Sequence, residues 1–288
     1  MENTKSTFET PRQSIQHLEA MRPLEFIKFL NKFKDIEPAD ITFTEKIDGS
    51  GIRFGFFEGK LLIETSYSGL FEPGDYTKTI EAKYGYKETD FSKLFDEFTY
   101  FLKSQTKLLN ILKKYNNFKV VGEILYNPLN IDELGNLIKF AHIYYDKSKL
   151  GRICTFIPFT VLNEGGTVPN TDEIIDELLS ISNNNFKIIK PKVSLDVDFD
   201  VEIDSLNIFL EDYKDINKIL TSRKSSLRQI KNSIIEYLNI IKQRLKDKIL
   251  QNQEGLLGDD VEGYVLSIPG YNVKVTSDKF TNSMKNKV

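Results

Sequence analysis

Lys46 stands in the stretch TEKIDGSGIRFG, Thr44 to Gly55, where a strand-like run gives way to a turn carrying Gly49 and Gly51. Asp48 follows two residues on and Arg53 seven. Two readings are open: an exposed cation in a loop, or a nucleophile. The second makes a physical demand, because a free lysine has a pKa near ~10.4 and at neutral pH is almost wholly protonated and unreactive. Burial and nearby positive charge favour the neutral amine. Three further strings carry groups of suitable type: Gly122-Glu123 at the end of the apolar FKVV, Glu262-Gly263-Tyr264-Val265, and Val273-Lys274-Val275. The two histidines, His17 and His142, are far apart, and no serine nucleophile motif accompanies them, so a Ser-His-Asp mechanism has little to start from.

These residues need elements to position them. Residues 1–13 read as a polar, loosely held tail. Apolar spacing from Ser14 to Phe33 predicts two short helices around Pro23. Strand patterns follow at 41–47, 51–57 and 60–66, the last two joined by a turn at 58–60. Residues 89–115 carry a helical stripe of Phe91, Leu94, Phe95, Phe98, Phe101 and Leu102, which reads as core. Strands are expected at 117–126, 138–145 and 153–162, a short helix at 170–182 and an extended piece at 186–195. Leu227, Ile230, Ile234, Leu238, Ile241 and Leu245 then recur at the three- and four-residue spacing of an amphipathic helix. Two strand-like runs, VEGYVLSIPG and YNVKVTSDKF, close the chain around a Pro269-Gly270 turn. Strands thus lie on both sides of a helical segment at about 203–254, and no internal repeat or low-complexity linker separates them.

Composition narrows the classes. A chain of 288 residues with one cysteine, Cys154, forms no intrachain disulfide and no four-thiolate zinc site, which fits a reducing cytosol. No apolar run reaches the ~18–20 residues that span a bilayer, and the N-terminus has no apolar signal region, so a cytoplasmic location and no membrane partner are expected. With 39 basic against 42 acidic residues, the net charge of −3 argues against nonspecific coating of nucleic acid but leaves room for a local basic groove.

Taken in order, Lys46-Ile-Asp48-Gly49, Gly122-Glu123, Glu262-Gly263 and Lys274 resemble motifs I, III, IV and V of the covalent nucleotidyltransferase superfamily, which holds ATP-dependent RNA ligases, DNA ligases and mRNA capping enzymes. The resemblance spans roughly residues 40–280. It implies an α+β fold: an adenylation domain of antiparallel sheets with a nucleotide cleft over residues 14–288, decorated by helical insertions at about 203–254. It also implies that Lys46 attacks the α-phosphate of ATP to give a lysyl-adenylate, with Lys274 and a divalent cation, Mg²⁺ or Mn²⁺, supplying positive charge. Glu123 would contact the nucleoside sugar. Glu262 would hold the metal or orient the lysine, with Glu123 as a second metal candidate. Arg53 would meet the ribose or the 5′-phosphate of the strand to be joined. Glu45 would lie near the adenine edge and Phe159 against the adenine face, with Phe156 as its alternative. Ser68 and Gly69, in TSYSG, would meet the substrate strand.

The sequence departs from the family in places. Thr276 replaces the second motif V lysine, and Thr160 stands where an aspartate is common. Only 288 − 274 = 14 residues follow Lys274, too few for the five-stranded OB-fold barrel that DNA ligases and capping enzymes carry there. The expectation is therefore an ATP-dependent polynucleotide ligase acting on RNA ends or nicks, with a DNA ligase as the alternative and no obligate protein partner. A ligase-derived nucleic-acid-binding protein without activity, and a protein AMP-transferase, are the rivals. Arg223, Lys224, Arg228, Lys231, Lys242, Arg244, Lys246 and Lys248 form either a phosphate-binding arm or the solvated face of a packed helix.

Overall fold

The structure, a computed structural model, describes residues 16–37, 40–57, 59–65, 68–85, 90–114, 118–126, 137–140, 143–163, 166–167, 171–193, 197–251 and 255–285. The expected tail at 1–13 and His142 lie outside them. In chain order the elements begin β1 (Gln16–His17), α1 (Pro23–Lys32), β2 (Thr42–Lys46), β3 (Ser50–Phe57), β4 (Lys60–Thr65), β5 (Gly69–Phe71), α2 (Tyr76–Tyr84), α3 (Asp90–Ser104) and α4 (Thr106–Lys114). They continue with β6 (Lys119–Tyr126), β7 (Leu137–Phe140), β8 (Ile143–Asp146), β9 (Cys154–Asn163), β10 (Gly166–Thr167), α5 (Thr171–Ser180), β11 (Phe186–Ile188) and β12 (Lys192–Val193). The last are α6 (Asp200–Glu211), α7 (Ile216–Thr221), α8 (Arg228–Leu250), β13 (Gly263–Ile268), β14 (Tyr271–Thr276) and α9 (Asp278–Lys285). The fold is α+β, and among the described residues neither large sheet closes into a barrel.

The chain divides into two compact units. One comprises Ile47–Pro191 and Gly255–Asp260 over their described residues. Its sheet runs β10-β9-β6-β3-β4-β5, with β11 added parallel to β9 and the other pairs antiparallel. Alternation sends Ile52, Phe54, Val120, Ile124, Phe156 and Val161 to one face. There they pack with Phe95, Phe98 and Leu102 of α3, Leu108 and Leu112 of α4, and Ile174 and Leu178 of α5. The single helix expected over 89–115 is two, interrupted at Gln105, and the strand expected over 138–145 is the hairpin β7–β8.

The second unit is built from Gln13–Lys46, Lys192–Glu254 and Val261–Val288 over their described residues. Its sheet order is β1-β14-β13-β2-β12, antiparallel except for β1 against β14. Phe43, Tyr264, Leu266, Ile268, Val273 and Val275 form the core face. They share a core with Phe26, Phe29 and Leu30 of α1 and Ile234, Leu238, Ile241, Leu245 and Ile249 of α8. Burial of such side chains contributes roughly 1.5–3 kcal/mol each. The α8 stripe is shorter than its sequence pattern, since Ile230 remains exposed. Two expectations change here. The first expected helix is strand β1 followed by a 3-10 turn at Leu18–Ala20, and the final strand-like run turns helical at Asp278.

Gly263 is the tightest point of this sheet. It lies opposite Lys46 on one side and Thr276 on the other. Its φ is +153°, and a Cβ added there would lie 2.0 Å from the Val275 carbonyl oxygen. Gly263→Ala is expected to destabilise the protein by about 3 kcal/mol, read from urea unfolding. An unchanged midpoint would contradict this register.

Candidate functional site

In the second unit the register of three strands assembles a charged cluster. Lys46 pairs with Gly263, and Lys274 pairs with Val265, so both lysines project from the sheet face opposite the core. Glu262, one residue before β13, places its carboxylate between them. Its Oε2 lies 3.4 Å from Lys46 Nζ, and its Oε1 accepts from Lys274 Nζ. The carboxylate is 4% exposed, against 22% for Lys46 and 15% for Lys274. Its backbone is braced from the far end of β14: Ser277 N–H donates to the Glu262 carbonyl at 2.8 Å, and Ser277 Oγ donates to the Val261 carbonyl at 2.8 Å. Enclosure strips the carboxylate of its hydration, and each of its oxygens has a lysine Nζ beside it instead.

Thr276 shares the lysines' face, opposite Gly263, and is buried. Its Oγ1 has no hydrogen-bond partner among the described residues. A buried hydroxyl without a partner is costly, and a phosphate oxygen at this face would satisfy it.

Glu45 has a different place from its neighbour. It faces the core and is 1% exposed, opposite Tyr264. Burial and then the Glu45 carboxylate push the Tyr264 phenol well above its usual range.

The first unit holds the other candidates. Gly49 N–H donates to Glu123 Oε2 at 2.9 Å, and Asp48 N–H donates to the Tyr145 hydroxyl at 2.8 Å, so the turn after the lysine is held at two successive amides. Arg53, on β3, and Glu123, on β6, alternate out of the core. Arg53 Nη1 lies 3.8 Å from Glu64 Oε1, whose Oε2 accepts from Lys119 Nζ at 2.9 Å. Lys119 is 3% exposed and Arg53 40%. The sequence reading passed over Glu64, Lys119 and Tyr145. A lysine and a glutamate at strand positions that alternate away from the apolar residues were the available signal for the first two.

Phe159 is the extra residue of a β-bulge: β9 pairs Thr160 with Val121 and Pro158 with Gly122, leaving Phe159 unpaired beside Gly122-Glu123 and half-buried. Phe156 is fully buried against Phe54 and Phe98 and belongs to the core. A Cβ on Gly122 would lie 2.3 Å from the Ile157 carbonyl oxygen, so glycine permits the bulge. Ser68 is buried, its hydroxyl 2.8 Å from Thr65 Oγ1, and Gly69 at φ +71° completes the turn into β5.

The basic residues of the helical segment split. Lys242 donates to the carbonyls of Met21 at 2.6 Å and Glu19 at 3.3 Å, and burial lowers its pKa. Lys246 pairs with Glu19 and Asp278, and Lys248 with Glu202. Lys242 and Lys246 are buried and Lys248 is half-buried, each spent on partners within this unit. Arg223, Lys224, Arg228 and Arg244 are exposed.

Among the described residues no group of three or more His, Cys, Asp or Glu gathers as a metal cage. Both Glu262 oxygens are engaged by lysine Nζ atoms, and an ion of the Mg²⁺ kind, which keeps most of its waters, needs no more than one or two carboxylates.

No family model and no curated protein matches the chain. Among solved structures it is similar to an RNA ligase from Naegleria gruberi, a lysine-to-methionine mutant with AMP and Mn, at TM-score 0.47 and 12% identity. The match covers 96% of this chain and 59% of that one, so the chain spans about three fifths of that protein's length. No helix of the described residues is long and apolar enough to cross a membrane.

The Lys119–Glu64 pair gives a direct test. Lys119→Met leaves Glu64, among the described residues, with Arg53 at 3.8 Å as its remaining cation and should destabilise the protein by about 3 kcal/mol in urea unfolding. Adding Glu64→Gln should restore at least ~1 kcal/mol of that loss, whereas strictly additive losses would show that the two do not act as a pair.

Proposed function

We propose that the protein is an ATP-dependent polynucleotide ligase of the covalent nucleotidyltransferase type, with Lys46 as its nucleophile and RNA ends as its substrate. The observation that carries this reading is the Glu262 carboxylate shared between Lys46 and Lys274 on adjacent, register-locked strands. In the reaction, the neutral Lys46 amine attacks the α-phosphorus of ATP. An N–P bond forms, the bond to the bridging oxygen breaks, and pyrophosphate leaves with the electron pair. Lys46, an ammonium in its ion pair with Glu262, first passes one proton to Glu262 Oε2, 3.4 Å away, to become that neutral amine, and the second proton, lost once the N–P bond has formed, leaves to the departing pyrophosphate or to water. Lys274 meets the phosphate charge that builds up, and the Thr276 hydroxyl donates to a phosphate oxygen where other family members use a second lysine. A divalent ion, Mg²⁺ or Mn²⁺, would come with the nucleotide and supply further positive charge at the phosphates.

The remaining roles belong to the same proposal. Glu123 holds the ribose, the Phe159 ring stacks on adenine, and Arg53 takes the ribose or the 5′-phosphate of the substrate strand. Glu45 is left with a supporting part behind Lys46, and Ser68 and Gly69 with shaping the β4–β5 turn. AMP then passes from Lys46 to a 5′-phosphate, and a 3′-hydroxyl displaces it to seal the strand.

Incubation with α-labelled ATP and Mg²⁺ should yield an acid-stable protein–AMP adduct that Lys46→Ala abolishes. Lys274→Ala should lower its rate by about 10²-fold, the usual loss on removing one donor to developing charge. Thr276→Val should weaken ATP use by roughly 5-fold, the worth of one hydrogen bond of ~1 kcal/mol. Sealing of nicked duplexes with RNA but not DNA 3′-ends would support the RNA assignment, and the reverse preference would make the protein a DNA ligase. Absence of any adduct would leave only the non-catalytic binder.

A further inference from the structure

The cations of the helical segment fall into two populations. Lys242, Lys246 and Lys248 are consumed by carbonyls and carboxylates of their own unit. The other end of the segment is different. From Ile216 to Ile235, INKILTSRKSSLRQIKNSII holds five cations, Lys218, Arg223, Lys224, Arg228 and Lys231, and no aspartate or glutamate. Lys218, Arg223, Lys224 and Arg228 are exposed, and none makes an ion pair or side-chain hydrogen bond with a described residue. Lys231 Nζ reaches the Ser222 carbonyl at 3.5 Å.

The local backbone adds to this field. No side chain caps the start of α8, which a 3-10 turn at Ser225–Leu227 enters, and its first turn has no acidic residue, so the positive end of a 23-residue helix stands among these cations. Ile219 and Leu220 of α7 are buried in the core, but packing does not account for the start of α8: Ile230 is 39% exposed, and the buried stripe of α8 begins only at Ile234. Like charges following one another on an exposed surface repel, and an extended polyanion relieves that repulsion.

We propose that the corner from Lys218 to Lys231 is a sequence-independent contact for the sugar–phosphate backbone of nucleic acid. The choice of nucleic acid over other polyanions rests on the ligase reading; the anion-binding surface does not. A phosphodiester chain offers a charge at every step, which suits several flexible cations in succession and needs no shaped pocket.

The test uses the full chain and a fluorescent single-stranded RNA, with affinity measured by anisotropy over a KCl series. Arg223→Gln/Lys224→Gln/Arg228→Gln should flatten the plot of log affinity against log salt by about 2, at ~0.7 per lost single-strand phosphate contact. Charge reversal to Glu at the same positions should weaken binding further. A control, Lys28→Gln/Lys32→Gln/Lys34→Gln, removes as many exposed cations from α1 and its end and should leave the slope unchanged. A wild-type slope in the corner variants, or equal loss in the control, overturns the proposal. Polyglutamate competing as well as an equal charge of RNA overturns the nucleic-acid assignment. Adenylation of Lys46 needs no nucleic acid, so the corner variants should keep it. RNA binding through the corner by a chain that never forms the adduct would sink the ligase reading and leave this surface standing.

Discussion

A carboxylate that is almost fully enclosed must have cations beside it, and Glu262 has two, one at each oxygen. That constraint fixes much of the second unit. Lys46 and Lys274 come from strands on either side of β13, so the pairing holds only while β2, β13 and β14 keep their register. The register in turn depends on the opposite face, where Tyr264, Leu266, Val273 and Val275 would turn outward after a slip of one residue. Gly263 is the concession this requires, since any side chain would strike the Val275 carbonyl. Chemistry and core are two faces of one sheet.

The first unit repeats the device with different partners. Its sheet buries Ile52, Phe54, Val120 and Phe156 on one side and presents Arg53, Glu64, Lys119 and Glu123 by alternation on the other. Buried Lys119 fixes Glu64, and Glu64 leaves the Arg53 guanidinium near it but still partly open to solvent. The three groups together carry one net positive charge, which leaves the guanidinium a suitable receptor for an anion. Glu123 spends one oxygen on the Gly49 amide, so the turn that begins this unit is held by a side chain expected to meet the nucleotide.

Short motifs were legible because their residue types are unusual for their positions: a lysine ending a strand, a Glu-Gly opening one, a lysine alternating with buried valines. The α+β class came with the family resemblance, while strand and helix periods located individual elements. Less readable were features set by tertiary contact. Nothing in Ser104-Gln105 announces a break between α3 and α4, since neither Gly nor Pro marks it. The family resemblance puts Glu45 near the adenine edge, whereas the two-residue period of a strand sends its side chain to the core face. Phe159 and Phe156 could not be separated by pattern, as a bulge resets the alternation between them. The basic residues from Arg223 to Lys248 admit two readings, a phosphate-binding arm or a solvated face, and only three-dimensional pairing separates Lys242, Lys246 and Lys248 from Arg223, Lys224 and Arg228, which make no ion pair with a described residue.

The most direct test of the account is to locate the nucleotide. Full-length protein incubated with ATP and Mg²⁺, digested under conditions that preserve a phosphoramidate and sequenced by tandem mass spectrometry, should carry AMP on the Lys46 side chain and on no other residue. AMP found on Lys274 or any other side chain, or an unmodified Lys46 in protein that has released pyrophosphate, would contradict it.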